Sequence, residues 1–297
     1  PDSLLTPPSK EALVDDLLAI KAAGFNTVRV HAVVMGAHFY MLCDELGILV
    51  WQDMPAGDSR ALPPWEKRRH AAEVDAQQHI SSQDASFDEM ERHPESSHAF
   101  LTELQAMITW LQPFVSVIVW VLFNEGWGQA DTKRTLEYVC EWDPTRLIDV
   151  ASGWNEIADA PGDFTDVHNY ESLPWGTLTD TFRAWPFPSE GRARVLGEYG
   201  GLGYAREGHE WSPAQSWAYG NAIQTKGKFR DALVELSERL LPLICSDGLV
   251  AAIYTQWNDV ETEVNGLVTY DRFPKLKLST ILSDFSTPIL DEFASCH

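Results

Sequence analysis

Four apolar runs in this sequence end abruptly in polar side chains, and those ends are where chemistry could be done. The first, Val117-Ile118-Val119-Trp120-Val121-Leu122-Phe123, runs straight into Asn124-Glu125 and a Gly126-Trp127-Gly128 turn. A carboxyl group between Phe123 and Trp127 sits in a low-dielectric setting that suits it to proton donation, although an acid there could also cap a helix. The second run, Arg194-Val195-Leu196-Gly197, ends in Glu198 before Tyr199-Gly200-Gly201. Two carboxyl groups about 5 to 5.5 Å apart are what retaining glycoside hydrolysis requires, one as nucleophile and one as acid then base. Glu125 and Glu198 close different strands, so they could face each other across a barrel mouth.

The third end is Asp166-Val167-His168-Asn169-Tyr170, where strand alternation sends Asp166, His168 and Tyr170 to one side. His168 and Tyr170 could donate hydrogen bonds to substrate hydroxyls, or serve as satisfied structural residues. The fourth is Tyr254-Thr255-Gln256-Trp257, whose indole offers a flat apolar face to a sugar ring or packs a barrel rim. His31, after Val28-Arg29-Val30, and Asp53, after Val50-Trp51-Gln52, are weaker ends of the same kind, with Arg29 as much an internal ion-pair partner as a site residue.

Something must bring these ends to one place. Apolar, β-branched runs at 25–31, 48–54, 115–123, 147–151, 164–168, 194–198 and 249–256 read as strands. Helical spacing appears at 9–23, 37–46, 98–111, 132–142, 212–243 and 276–285. Strands buried on both faces and alternating with helices predict a parallel sheet covered by helices. Spaced roughly every 35 residues, they predict an α/β fold, a (β/α)8 TIM barrel whose first strand would precede residue 1, in one domain over 1–297. A doubly wound open sheet is the alternative, but no glycine-rich phosphate loop follows the first run. Residues 55–93, rich in Pro, Gly, Arg, His and Asp, read as a lid or rim.

Composition narrows the function. Forty-four acidic against 22 basic side chains give a net charge of -22, which repels phosphate backbones and argues against nucleic acid as a partner. No apolar run is long enough to span a bilayer, so no membrane partner is expected. The four cysteines, Cys43, Cys140, Cys245 and Cys296, lack zinc-site or disulfide-scaffold spacing and read as ordinary thiols. No His-Glu-x-x-His or other ligand spacing appears, so no metal and no cofactor are expected. The 12 Trp residues hint at a carbohydrate partner, since sugar rings stack on aromatic faces, although Trp also fills cores.

Five ordered blocks then carry a resemblance: Gly24-Phe25-Asn26-Thr27-Val28-Arg29-Val30-His31, the 43–55 segment from Cys43-Asp44-Glu45-Leu46-Gly47 to Pro55, Phe123-Asn124-Glu125-Gly126-Trp127-Gly128, Leu196-Gly197-Glu198-Tyr199-Gly200-Gly201, and the 265–272 segment Asn265-Gly266-Leu267-Val268-Thr269-Tyr270-Asp271-Arg272. The chain resembles the catalytic barrel of glycoside hydrolase family 2, which contains β-galactosidases, β-glucuronidases and β-mannosidases. The resemblance implies that Glu125 is the general acid/base, that Asn124 binds the sugar 2-hydroxyl and that Glu198 is the nucleophile. It implies, through looser matches, that His31, His168, Tyr170 and Trp257 line the sugar pocket. Family members carry β-sandwich domains upstream of the barrel, so these and the first strand are expected to be missing here, and the chain reads as part of a larger enzyme. The family's glucuronidases bind the uronate through an Asn-x-Lys motif, and no Asn here has Lys two positions later. A neutral β-galactoside, β-glucoside or β-mannoside is therefore the expected substrate. A noncatalytic carbohydrate-binding barrel remnant and a metal-dependent barrel hydrolase are the rival readings.

Overall fold

A computed structural model describes residues 7–56, 89, 92–153, 155–157, 159–170 and 191–296. Most of the lid or rim expected at 55–93 lies outside these. In chain order the described elements are α1 (Lys10–Ala22), β1 (Thr27–Val30), α2 (Ala37–Leu46), β2 (Leu49–Asp53), α3 (Pro94–Leu111), β3 (Val117–Asn124) and α4 (Thr132–Trp142). There follow β4 (Leu147–Ser152), β5 (Phe164–Tyr170), β6 (Ala193–Gly200), α5 (Lys226–Asp247), β7 (Leu249–Thr255), α6 (Leu278–Ile281), a π turn (Leu282–Ser286) and α7 (Thr287–Cys296).

Local chemistry sets these boundaries. Ser9 caps α1 by accepting from the Ala12 amide, Pro94 opens α3 where its missing N–H costs nothing, and Thr225 caps α5. Gly47 and Gly248 end α2 and α5 in the left-handed conformation that Gly adopts without steric cost. The strands hydrogen-bond as two sheets, β1-β2-β3-β4 and β5-β6-β7. The β2–β3 and β3–β4 pairs are parallel, with Asp53 opposite Val121 and Asn124 opposite Ser152.

The described residues fall into two compact units. One lies within Val28–Val167 and Arg183–Arg194. Its core is aromatic and aliphatic: Phe123 stacks on Phe100, Trp51 packs against Phe164, and the indole N–H of fully buried Trp120 donates to Asp143. The other unit lies within Pro1–Thr27, His168–Phe182 and Val195–His297. Here buried Phe285, in the π turn, meets the rings of Phe25, Tyr199 and Tyr254. Gly24 allows the close approach, because a Cβ on it would stand 2.7 Å from Ser286 Cβ.

Three expectations need correction. The helix expected at 212–243 starts only at Lys226. Trp217 before it exchanges backbone hydrogen bonds with Thr262 and Val264 instead, so the strand-like pairing of an irregular segment displaced helical spacing. The last helix, expected at 276–285, is a single turn followed by a π turn, and α7, opened by Pro288 in its first turn, was not anticipated. Cys245 and Cys296 are not free thiols. Their Cα atoms lie 5.6 Å apart and they form a disulfide, while Cys43 and Cys140 are free. Sequence spacing could not show that the end of α5 meets the end of α7.

In the second unit a buried ion pair holds the loop after β7. Lys275 Nζ donates to Asp259 Oδ1 at 2.7 Å and to the Val264 carbonyl at 3.0 Å, and the Gly266 amide donates to the same carboxylate oxygen. Burial pushes the Asp259 carboxyl up to about 6 despite Lys275, and pushes the Lys275 ammonium down. Lys275→Met is therefore expected to destabilise the protein by about 3 to 5 kcal/mol, because it strands a buried carboxylate. Urea unfolding measures this, and Lys275→Met with Asp259→Leu should recover most of the loss. A double variant no more stable than the single would contradict the pairing.

Candidate active site

Asn124, Glu125 and His31 lie in the first unit, and Glu198, His168, Tyr170 and Trp257 in the second. In the first unit, β3 delivers Asn124 at its last residue and Glu125 immediately after. Glu125 has φ 51, a left-handed conformation uncommon for a non-glycine residue, which turns its side chain out of the strand direction. Its amide donates to the Ser152 carbonyl at 2.9 Å, and the Trp127 amide closes the turn on the Asn124 carbonyl at 2.8 Å. Gly128 is confined by space as well as by its φ of +65, since a Cβ there would lie 2.2 Å from the Ala56 carbonyl oxygen.

Arg29, on β1, organises this end. Its guanidinium makes a fork to Asp53, Nε to Oδ1 at 2.9 Å and Nη2 to Oδ2 at 3.0 Å, and Nη2 also donates to Asn124 Oδ1 at 2.7 Å. With Asn124 Oδ1 so engaged, its amide N–H2 is the end left to meet a ligand oxygen acceptor. His31 Nδ1 lies 2.8 Å from Asp53 Oδ2, and its side chain is 53% exposed while those of Arg29 and Asp53 are buried. Burial would raise the Asp53 carboxyl, but the Arg29 charge and His31 outweigh it and hold it below its ordinary value. Asp53 is thus a fixed anion that orients Arg29 and the exposed imidazole.

In the second unit, β6 carries Glu198 and β5 ends in His168 and Tyr170. The Tyr170 hydroxyl donates a short hydrogen bond to Glu198 Oε2, and buried His168 has Nδ1 3.7 Å from Glu198 Oε1, beyond direct hydrogen-bond length. Tyr170 is itself held by Tyr219, whose ring stacks face to face at 3.6 Å. Gly201, with φ +67, makes the stack possible, because a Cβ there would approach Tyr219 Cδ2 to 2.6 Å and Tyr170 Cδ1 to 3.0 Å. A carboxylate with one oxygen fixed by a phenol has the other directed for attack.

Trp257 follows β7, and its carbonyl accepts from the Leu267 and Val268 amides. Its indole nitrogen stands 3.5 Å from Asp16 on α1, which Arg272 also engages at 3.0 Å. Trp257 is therefore anchored in the second unit by main-chain and side-chain contacts. Arg29 as an internal ion-pair partner was expected, but its hold on Asn124 was not, and neither was Tyr219, which the sequence placed in a helix. Cys245, Glu292 and Cys296 lie close enough together to share a cation, but the two sulfurs are bonded to each other. No helix among the described residues is long and apolar enough to cross a membrane.

Solved structures share this fold. A family 2 β-galacturonidase from Eisenbergiella tayi bound to galacturonate superposes with a TM-score of 0.64 at 20% identity, covering 94% of this chain and 48% of that one. A β-D-glucuronidase from Dictyoglomus thermophilum gives 0.64 at 19% identity over 93% of this chain and 48% of its own. A Bacteroides uniformis β-glucuronidase 2 covalently bound to cyclophellitol-6-carboxylate aziridine gives 0.61 at 16%, over 90% and 31%. The chain thus spans about half the length of the first of these structures. No curated protein matches the sequence. The fold is of the (β/α)8 barrel type, although the described strands form two sheets and no helix is described between β4, β5 and β6. The profile of the glycosyl hydrolases family 2 TIM barrel domain matches residues 8–287, and the chain belongs to that family.

Proposed function

We propose that this chain is the catalytic barrel of a retaining exo-β-glycosidase acting on neutral sugars. The observation that carries the reading is a pair of strand-end glutamates prepared for different tasks. Glu198 has one oxygen fixed by the Tyr170 hydroxyl, as suits a nucleophile, and Glu125 follows Asn124 in a strained turn beside buried Phe123, as suits a proton donor. In this reading Glu198 attacks the anomeric carbon and forms a glycosyl ester while the leaving oxygen takes the Glu125 proton. Glu125 then removes a proton from water, which attacks the anomeric carbon and returns the Glu198 carboxylate. Asn124 holds the sugar 2-hydroxyl, and His31, His168, Tyr170 and Trp257 contribute to the pocket. No cofactor enters the chemistry.

Neutral sugars are favoured by two features of the chain itself. No Asn-x-Lys pair is available for a uronate carboxylate, and a net charge of -22 repels an anionic substrate. Likeness at 20% identity or below to uronidases carries the fold and not the substrate. Hydrolysis of aryl β-galactoside, β-glucoside, β-mannoside, β-glucuronide and β-galacturonide tests the assignment. Turnover of a neutral member with retained anomeric configuration supports it, and turnover confined to the two uronides overturns the substrate class. Further domains, including upstream β-sandwiches, and the identity of the aglycone belong to the same proposal.

A further inference from the structure

In the same unit as Asn124 and Glu125, the carboxyl groups of Asp53, Asp149 and Asp166 are all buried, and the Arg29 guanidinium acts on the first two. Asp53 is matched by Arg29 and His31. Asp149 on β4 and Asp166 on β5 are each 2% exposed, and their carboxyl groups lie within hydrogen-bonding reach of one another. Two carboxylates cannot hydrogen-bond unless one is protonated. The proton can be placed. Asp166 Oδ2 accepts a hydrogen bond from the Ser152 hydroxyl at 2.5 Å, whereas Asp149 Oδ2 is buried and receives none. An anionic Asp149 would therefore be a desolvated charge without a donor, while a neutral Asp149 can donate to Asp166. Burial first, and then the Asp166 charge, push the Asp149 carboxyl well above the ordinary carboxylate range. Arg29, on β1, lowers it and Asp53, on β2, raises it further.

Ser152 links this pair to the candidate acid. Its hydroxyl is held by Asp166, and its carbonyl accepts the Glu125 amide at 2.9 Å. That bond fixes the residue whose φ of 51 aims the acid. We propose that Asp149 and Asp166 form one positioning unit, holding a single proton between them so that Asp166 fixes Ser152 and Ser152 fixes the backbone of Glu125. The inference rests on the reading of Glu125 as general acid/base. Two anions at this place would repel and release Ser152, and an apolar residue at 149 would take away the donor that Asp149 supplies to Asp166.

The test compares the full chain with Asp149→Asn, which keeps a donor toward Asp166, and Asp149→Val, which removes it. Thermal unfolding is followed from pH 4 to 9, and kcat/KM is measured on a glycoside with a good and one with a poor leaving group. A carboxyl whose folded pKa is raised contributes stability that is full below its unfolded value, about 4, and is lost as pH rises through the folded one. The Tm of Asp149→Asn relative to wild type should therefore climb with pH above about 4. A pH-independent difference would overturn the shared proton. On the poor leaving group Asp149→Val should lose about tenfold or more beyond its loss on the good one, as expected for a displaced acid, and Asp149→Asn should recover most of it. Equal losses on both substrates would overturn the positioning role. If the wild type hydrolyses no glycoside, the glycosidase reading fails, and the unfolding series still decides whether the proton is shared.

Discussion

Glu198→Gln is expected to lower kcat by at least about 10⁴-fold on every substrate the wild type hydrolyses, since no glycosyl ester can form on an amide. The substitution is nearly isosteric. Its amide oxygen can still accept from the Tyr170 hydroxyl, which stays stacked on Tyr219. The unfolding temperature should therefore remain within a few degrees of wild type, so that lost turnover reports chemistry and not collapse. Stopped assays for released aryl alcohol, run beside thermal unfolding, measure both. Retained turnover in a folded Glu198→Gln protein would remove this residue from the mechanism.

The second large effect depends on the substrate. In Glu125→Ala the first step loses its proton donor, which matters little when the leaving group departs readily and much when it does not. Glycosides with poor leaving groups should lose about 10² to 10⁴-fold in kcat/KM, and activated aryl glycosides much less. The second step loses its base, so activated substrates should show a fast burst followed by slow turnover as the glycosyl ester accumulates. Rapid-quench kinetics on a series of leaving groups measures this. Equal losses across the series, with no burst, would contradict the acid/base assignment.

The strand ends were legible because a buried parallel strand is a continuous apolar run, and a polar residue that stops it stands out. Glu125, Asn124, Glu198 and His168 stood out in this way, and the structure places each at or beside a strand end. Their supporting partners did not stand out. Arg29 reaches Asn124 across 95 residues, and Tyr219 stacks on Tyr170 from a segment whose spacing imitated a helix but whose backbone pairs with the loop after β7. Such contacts are set by packing after the strands assemble, and no local period encodes them. Asp149, the partner of Asp166, was hidden differently. An acid inside an apolar run reads as an interruption until the structure brings a second buried carboxyl group beside it. The wealth of Trp carried two readings, a sugar site or core packing, and Trp51 and Trp120 are core residues of the first unit.

The central claim is that Glu198 is the nucleophile of a retaining mechanism on a neutral sugar. Incubation with activated 2-deoxy-2-fluoro β-glycosides of galactose, glucose and mannose traps the glycosyl-enzyme by slowing its breakdown, and intact and peptide mass spectrometry locates the label. One sugar bound per chain, on the peptide containing Glu198, is the predicted result, and the sugar that labels fastest names the substrate. A label on a peptide carrying a different carboxylate, or none on protein shown to be folded, would contradict it.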